Sequence, residues 1–148
     1  MAKRINNMDE LQIALLPVMK DMADEMAERV YQTLNYFLKM YYDSYDPIYY
    51  RRQFDFLRSA VKVKPIKVGN KITAAVYIDY HSMDHYYEVS GYQVASWANQ
   101  GLHGGQKLGT NTPLVWDDMI KNTVSNSDLL KLAVDYLRKQ GFTVVEQR

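Results

Sequence analysis

From Met8 to Tyr42 the chain carries one repeating stripe: Leu15, Met19, Met22, Met26, Val30, Thr33, Phe37 and Met40 recur every three or four positions. Asp21, Glu25, Glu28, Arg29 and Lys39 fall between them. The period predicts a long amphipathic helix within 1–42, more than about twenty residues, with the stripe turned toward a core. Pro17 has no N–H and crowds the preceding turn, so the regular helix either begins at it or is kinked by it. Methionine suits irregular core packing; a seam to a neighbouring subunit is the other use of such a stripe.

The pattern changes after residue 42. Residues 43–60 form a tyrosine-rich arm, with Phe54, Phe56 and Leu57 on a short helix or extended stretch. Across 61–80 the period falls to two: Ile72, Ala74, Val76, Ile78 and Tyr80 alternate with Thr73, Ala75, Tyr77 and Asp79. Gly69 and Asn70 punctuate the run, which predicts a β-hairpin whose first strand is "VKVKPIKV". Pro65 cannot donate to a ladder, placing that strand at an edge or beside a bulge.

Residues 81–112 are irregular and glycine-rich. Val94, Ala95, Trp97 and Ala98 predict a short helix or strand ending at Gly101, followed by a polar loop over 104–112. In 113–148, Pro113 suits the first turn of a helix over "PLVWDDMIKNTV". Ser127 is placed to cap "DLLKLAVDYLRKQ", whose apolar face is Leu130, Ala133, Val134 and Leu137, with Arg138, Lys139 and Gly141 suited to its end. "FTVV" reads as a final short strand. The expected fold class is α+β, one domain in which a long N-terminal helix and a C-terminal helix pack on a small, mainly antiparallel β-sheet.

Composition narrows the function. The chain has 148 residues and a formal net charge of +1, so it lacks the global basic footprint of a duplex-binding domain. It has no cysteine, which excludes structural disulfides, thiolate nucleophiles and cysteine-based zinc sites. "MAKRINNMDE" has no apolar core behind its basic residues, and no run is long enough to span a bilayer. A soluble protein made in a cytoplasm is expected.

Candidate chemistry is sparse. His81 and His85 are four apart with Asp84 between them, a metal-ligand spacing if helical. They directly follow a period-two strand, however, where the same spacing separates side chains by about 13 Å. No metal site is therefore expected, and a metal-dependent hydrolase using His81 and His85 remains an alternative. His103 in "GLHGG" has no nucleophile motif beside it, and the glycines there do not match a phosphate loop. Asp117 and Asp118 are adjacent and point apart on a helix. No catalytic residue and no cofactor is expected. Lys62, Lys64, Lys67 and Lys71 cluster on the hairpin; they either protect an exposed edge strand or form the basic patch of a small nucleic-acid-binding module.

The densest feature is "YYDSYDPIYYRR", Tyr41 to Arg52, with five tyrosines in twelve residues. Asp43 and Asp46 argue against an anionic membrane surface, and Arg51 with Arg52 makes only the edge of a single-strand groove. Tyrosine and arginine are enriched at protein–protein hot spots. The belt is thus expected to hold a partner, to clamp the long helix onto the sheet, or both.

Those residues carry a resemblance. Tyr45, Pro47, Tyr50 and Arg52, followed by Leu57, form a Tyr-x-Pro-x-x-Tyr-x-Arg stretch before a leucine-containing arm. Gly101, His103 and Gly104 form a Gly-x-His-Gly patch. Over residues 8–120 the chain resembles the head–tail joining, or tail-completion, proteins of the neck of long-tailed bacteriophages and prophages. The unusually tyrosine-rich centre and "HSMDHYY" depart from that pattern. The resemblance implies a tail-terminator-like α+β fold and a non-enzymatic virion protein, made in the bacterial host cytoplasm. It implies a ring, commonly hexameric, between head connector and tail tube, with passive contact to DNA in the lumen. The expected interface residues are Tyr45, Pro47, Tyr49, Tyr50, Arg51 and Arg52 on one side of each ring contact, and Trp97 and His103 on the other.

Overall fold

The structure, a computed structural model, describes residues 4–44, 55–83, 89–103, 106–108 and 112–145. Its elements run α1 (Met8–Asp43), β1 (Ala60–Val68), β2 (Lys71–Ile78), a 3₁₀ turn (Tyr80–Met83), α2 (Gly91–Asn99), β3 (Leu102–His103) and β4 (Gln106–Lys107). Then follow α3 (Val115–Ile120), a π-helical turn (Lys121–Ser125) and α4 (Asp128–Lys139). The fold is α+β, as expected. Among the described residues the strands form two separate antiparallel pairs, β1 with β2 and β3 with β4.

α1 starts well before Pro17. The Asn7 side chain accepts from the Glu10 N–H at 2.9 Å, and the Glu10 carboxylate accepts from the Asn6 N–H at 2.8 Å. These bonds satisfy donors at a helix start that would otherwise be orphaned. Pro17 therefore sits inside a helix of 36 residues. Its cost is one backbone bond, since it offers no N–H to the carbonyl four residues earlier.

The core gathers on the C-terminal half of α1. Leu34, Leu38, Tyr41 and Tyr42 pack with Phe56, Ala60, Met83, Ala98, Val115 and Met119 in one buried cluster. The stripe from Val30 onward is thus core, whereas Met19 is exposed and Met8 and Ile13 more so. Tyr41 and Tyr42 at the start of the tyrosine belt close around Phe56, with ring centroids 5.7 and 6.3 Å away. The Tyr42 hydroxyl also accepts from the Leu57 N–H at 3.3 Å. These two tyrosines join the end of the long helix to the segment entering β1, and the rest of the belt lies outside the described residues.

α2 is a helix, not a strand, and its first residue is fixed by packing. A Cβ on Gly91 would stand 1.6 Å from the Tyr80 carbonyl oxygen, so only glycine lets α2 approach the 3₁₀ turn. α3 begins at Val115, two residues beyond Pro113. Its N-terminal N–H groups are taken from another element: the Asn99 side-chain oxygen accepts from both Trp116 and Asp117, each at 2.9 Å. The loop expected over 104–112 contains the short strand β4.

α4 departs from expectation at its start and on its face. Ser127 holds the N-cap position in a left-handed conformation (φ 64°) and makes no side-chain cap bond. Asn126 accepts from the Asp128 N–H instead, at 3.1 Å. Leu130 is exposed, and Val134 and Tyr136 are the buried residues, because α4 lies along α1 through Asp128 and Tyr136. "FTVV" forms no strand: Phe142–Val145 continue from α4 without regular structure, and Gly141 (φ 92°) ends the helix.

Candidate functional site

The hairpin holds the feature with the clearest functional content. Cross-strand partners share a face of a sheet. Ala60 pairs with Ile78, Lys62 with Val76 and Lys67 with Ile72. The alternate pairs are Val61 with Tyr77, Val63 with Ala75, Ile66 with Thr73, and Val68 with Lys71. Ile72, Val76 and Ile78 are half-buried and Ala60 is buried, so the first set faces the body. The second set faces solvent, with Val63 41%, Ile66 54%, Val68 58% and Tyr77 45% exposed.

β1 is therefore inverted with respect to hydrophobicity. Its valines and isoleucine look outward, and Lys62 looks inward. Two physical causes act together. The Lys62 ammonium lies 3.0 Å from Asp24 and 2.9 Å from Glu28, carboxylates one turn apart on α1. The hydrogen bond from Lys62, then that from Gln32, holds the Glu28 carboxyl below its usual range; Glu28 and then Asp24 raise the Lys62 ammonium. The second cause is a bulge between Val63 and Ile66, where Lys64 and Pro65 stand opposite one residue of β2. One extra residue reverses the alternation. Without it, Ile66 and Val68 would turn inward while Val61 and Val63 stayed out; with it, all four share the outer face.

This ion pair also sorts the lysines. Lys62 is engaged with α1, whereas Lys64, Lys67 and Lys71 are exposed along the turn half of the hairpin. The expectation that all four protect an exposed edge is corrected at Lys62. The missed signal was the i, i+4 pair Asp24 and Glu28, two acids aligned on one helical face.

On the far side of β2 an open groove of about 500 Å³ runs along α1. Its lining includes Met19, Met22 and Met26 of the N-terminal stripe, Val76 of β2, and Trp116 and Met119 of α3. The stripe thus serves two ends, core in its second half and groove wall in its first.

Other sequence candidates divide as follows. Tyr45, Pro47, Tyr49, Tyr50, Arg51 and Arg52 lie outside the described residues, as does His85. His81 is exposed on the 3₁₀ turn, its ring centroid 4.4 Å from that of Tyr80. Among the described residues no three His, Asp or Glu side chains stand close enough to share a metal ion. Trp97 is half-buried on α2, and His103 is half-buried on β3. The Tyr41 hydroxyl donates to the Leu102 carbonyl at 2.7 Å and lies 3.5 Å from His103 Nδ1. Tyr41, at the root of the tyrosine belt, and His103 are therefore neighbours within the chain.

A family model matches residues 7–139, from the cap of α1 to the last residue of α4. The chain belongs to the YomN family. That family name is phage-derived, and the chain is a phage-related protein. No curated protein and no solved structure matches it. No helix among the described residues is long and apolar enough to cross a membrane.

Proposed function

We propose that this protein is a non-enzymatic structural component of the virion neck, a homo-oligomeric ring, commonly hexameric in such proteins, that joins the head connector to the tail tube. The observation that carries the reading is the hairpin face, where Val63, Ile66, Val68 and Tyr77 are held outward by the inverted strand and its bulge. Contiguous apolar surface rimmed by polar groups marks contact with another macromolecule. A sheet that spends a lysine on its inner face and its valines on its outer face suits a permanent neighbour better than water. The resemblance of Tyr45, Pro47, Tyr50, Arg52 and the Gly101–His103–Gly104 patch to tail-completion proteins supports the place in the virion, and so does the phage-derived family name.

The tyrosine-rich segment supplies the composition of an interface hot spot. Neighbouring neck proteins and further copies of the chain are its partners, and DNA passes the ring without being read. Mass photometry of the purified protein tests the self-assembly. A discrete multimer is expected, and electron microscopy of the particle is expected to place it between head and tail. A monomer at all concentrations that also binds stoichiometric metal through His81 and His85 would replace this reading with a hydrolase.

A further inference from the structure

We infer that Phe142–Val145 of a neighbouring copy add to the free edge of β2 as a third, antiparallel strand. The inference rests on the self-assembly proposed above and names one contact of it.

The two edges of the hairpin are unlike. β1 carries Lys64 and Pro65 in its bulge, a charge and a residue without an N–H, and both oppose a further strand. β2 has neither device: from Ile72 to Ile78 it holds no proline and no charged residue. Ala74, Ala75 and Val76 line the groove one after another, so the edge of β2, and not one face alone, opens on it. Among the described residues β2 pairs with β1 and with no other strand.

The same chain holds a strand-forming sequence that forms no strand. Phenylalanine, threonine and valine favour extended structure, yet Phe142–Val145 run on from α4 without it. Phe142 is 39% and Val145 79% exposed. The backbone groups of Thr143, Val144 and Val145 have no hydrogen-bond partner among the described residues. Edge and segment each want a ladder partner, and an extended segment added to an open edge supplies one.

Charge chooses the direction and the register. Lys71 precedes Ile72 and Asp79 follows Ile78, whereas Arg138 and Lys139 precede the segment and Glu146 follows it. Antiparallel pairing sets acid against base at both ends; parallel pairing would set like against like. With Glu146 opposite Lys71, Val144 stands opposite Thr73 and Phe142 opposite Ala75. Thr73 and Ala75 pair across β1 with Ile66 and Val63, so Phe142 and Val144 extend the outward apolar face.

The strand comes from another copy because its own β2 is out of reach. Tyr136 and Gln140 lie with Pro17, Lys64 and Pro65, on the β1 side, while the edge of β2 looks toward Trp116 and Met119. A route within one chain would cross both strands before pairing began. Edge and segment are different parts of the chain, so the contact is heterologous and closes a ring when the rotation allows.

The absence of cysteine makes the test direct. Thr73→Cys and Val144→Cys are made in separate full chains, mixed and oxidised; a disulfide requires Cα atoms within about 7 Å. A two-chain product is expected that neither variant gives alone. A chain carrying both cysteines is expected to link to its neighbours; closing a bond within itself would overturn the inference. Replacing Thr143 and Val144 together by proline removes two adjacent N–H groups, one of which points at β2. Assembly read by mass photometry is expected to weaken roughly tenfold, with the melting temperature unchanged. Lys71→Glu or Glu146→Lys alone is expected to weaken assembly, and the two together to restore it. Undiminished assembly of the proline variant, without the mixed disulfide, would remove this contact while leaving the ring. A wild-type chain that stays monomeric would remove both.

Discussion

The Lys62 ammonium stands 2.9 Å from the Glu28 carboxylate, across the space between the hairpin and the long helix. Asp24 lies 3.0 Å from the same nitrogen, so one lysine answers two acids. The pair fixes which side of β1 faces the body, and with it which side faces solvent. Lys62→Glu would place three carboxylates together, and a lowered melting temperature with a disturbed hairpin is expected. Lys64→Glu, on an exposed neighbour, should leave the melting temperature unchanged. Parallel thermal melts separate the two. Glu28 has a depressed folded pKa, so its share of stability is present above the unfolded carboxylate range and is lost as acid protonates it.

Alkaline pH addresses another link. The Tyr136 hydroxyl donates to the Asp21 carboxylate at 2.7 Å, which, followed by burial, raises its pKa from 10.0 to about 12. Only the protonated phenol can donate this bond. The contribution is therefore complete below pH 10 and disappears as pH rises through about 12. In denaturant melts at rising pH, Tyr136→Phe is expected to lose less stability than the wild type over that window. Equal losses would mean that the bond contributes nothing to holding α4 on α1.

Gly91 tests the packing of α2. An added methyl meets the Tyr80 carbonyl at 1.6 Å and Met83 Cβ at 2.9 Å, neither of which is a flexible chain end. Gly91→Ala is expected to destabilise by about 3 kcal/mol, the upper part of the overpacking range. Leu34→Ala, at a fully buried position, should cost about 2–5 kcal/mol by leaving a cavity. Ile13→Ala, at a 69% exposed position, should leave the chain's stability nearly unchanged. Chemical denaturation of the three variants checks the order.

The tyrosine belt predicts a separation of roles. Tyr42→Ala removes a buried ring packed on Phe56 and should destabilise the fold by about 3 kcal/mol. Replacing both Tyr49 and Tyr50 by serine should weaken assembly with little change in melting temperature. Mass photometry alongside thermal melts reads both quantities; undiminished assembly would remove the arm from the self-contact.

Much of this architecture was legible in the one-dimensional pattern. The 3.6-residue stripe marked α1, the period-two run marked β2, Gly69 and Asn70 marked their hairpin turn, and Pro65 marked a bulge or edge. These are local effects, set by backbone geometry and by which side chains must leave water. The face of β1 was not legible, because "VKVKPIKV" alternates whichever side its lysines take. Only Asp24 and Glu28, arriving from a helix more than thirty residues earlier, decided that Lys62 turns inward, and the bulge then kept Ile66 and Val68 outward. The cap of α3 by Asn99 and the solvent-facing Leu130 on α4 were likewise settled by neighbours distant in sequence. Sequence by itself determined the elements; the tertiary structure decided their faces, because a face is defined only by what packs against it.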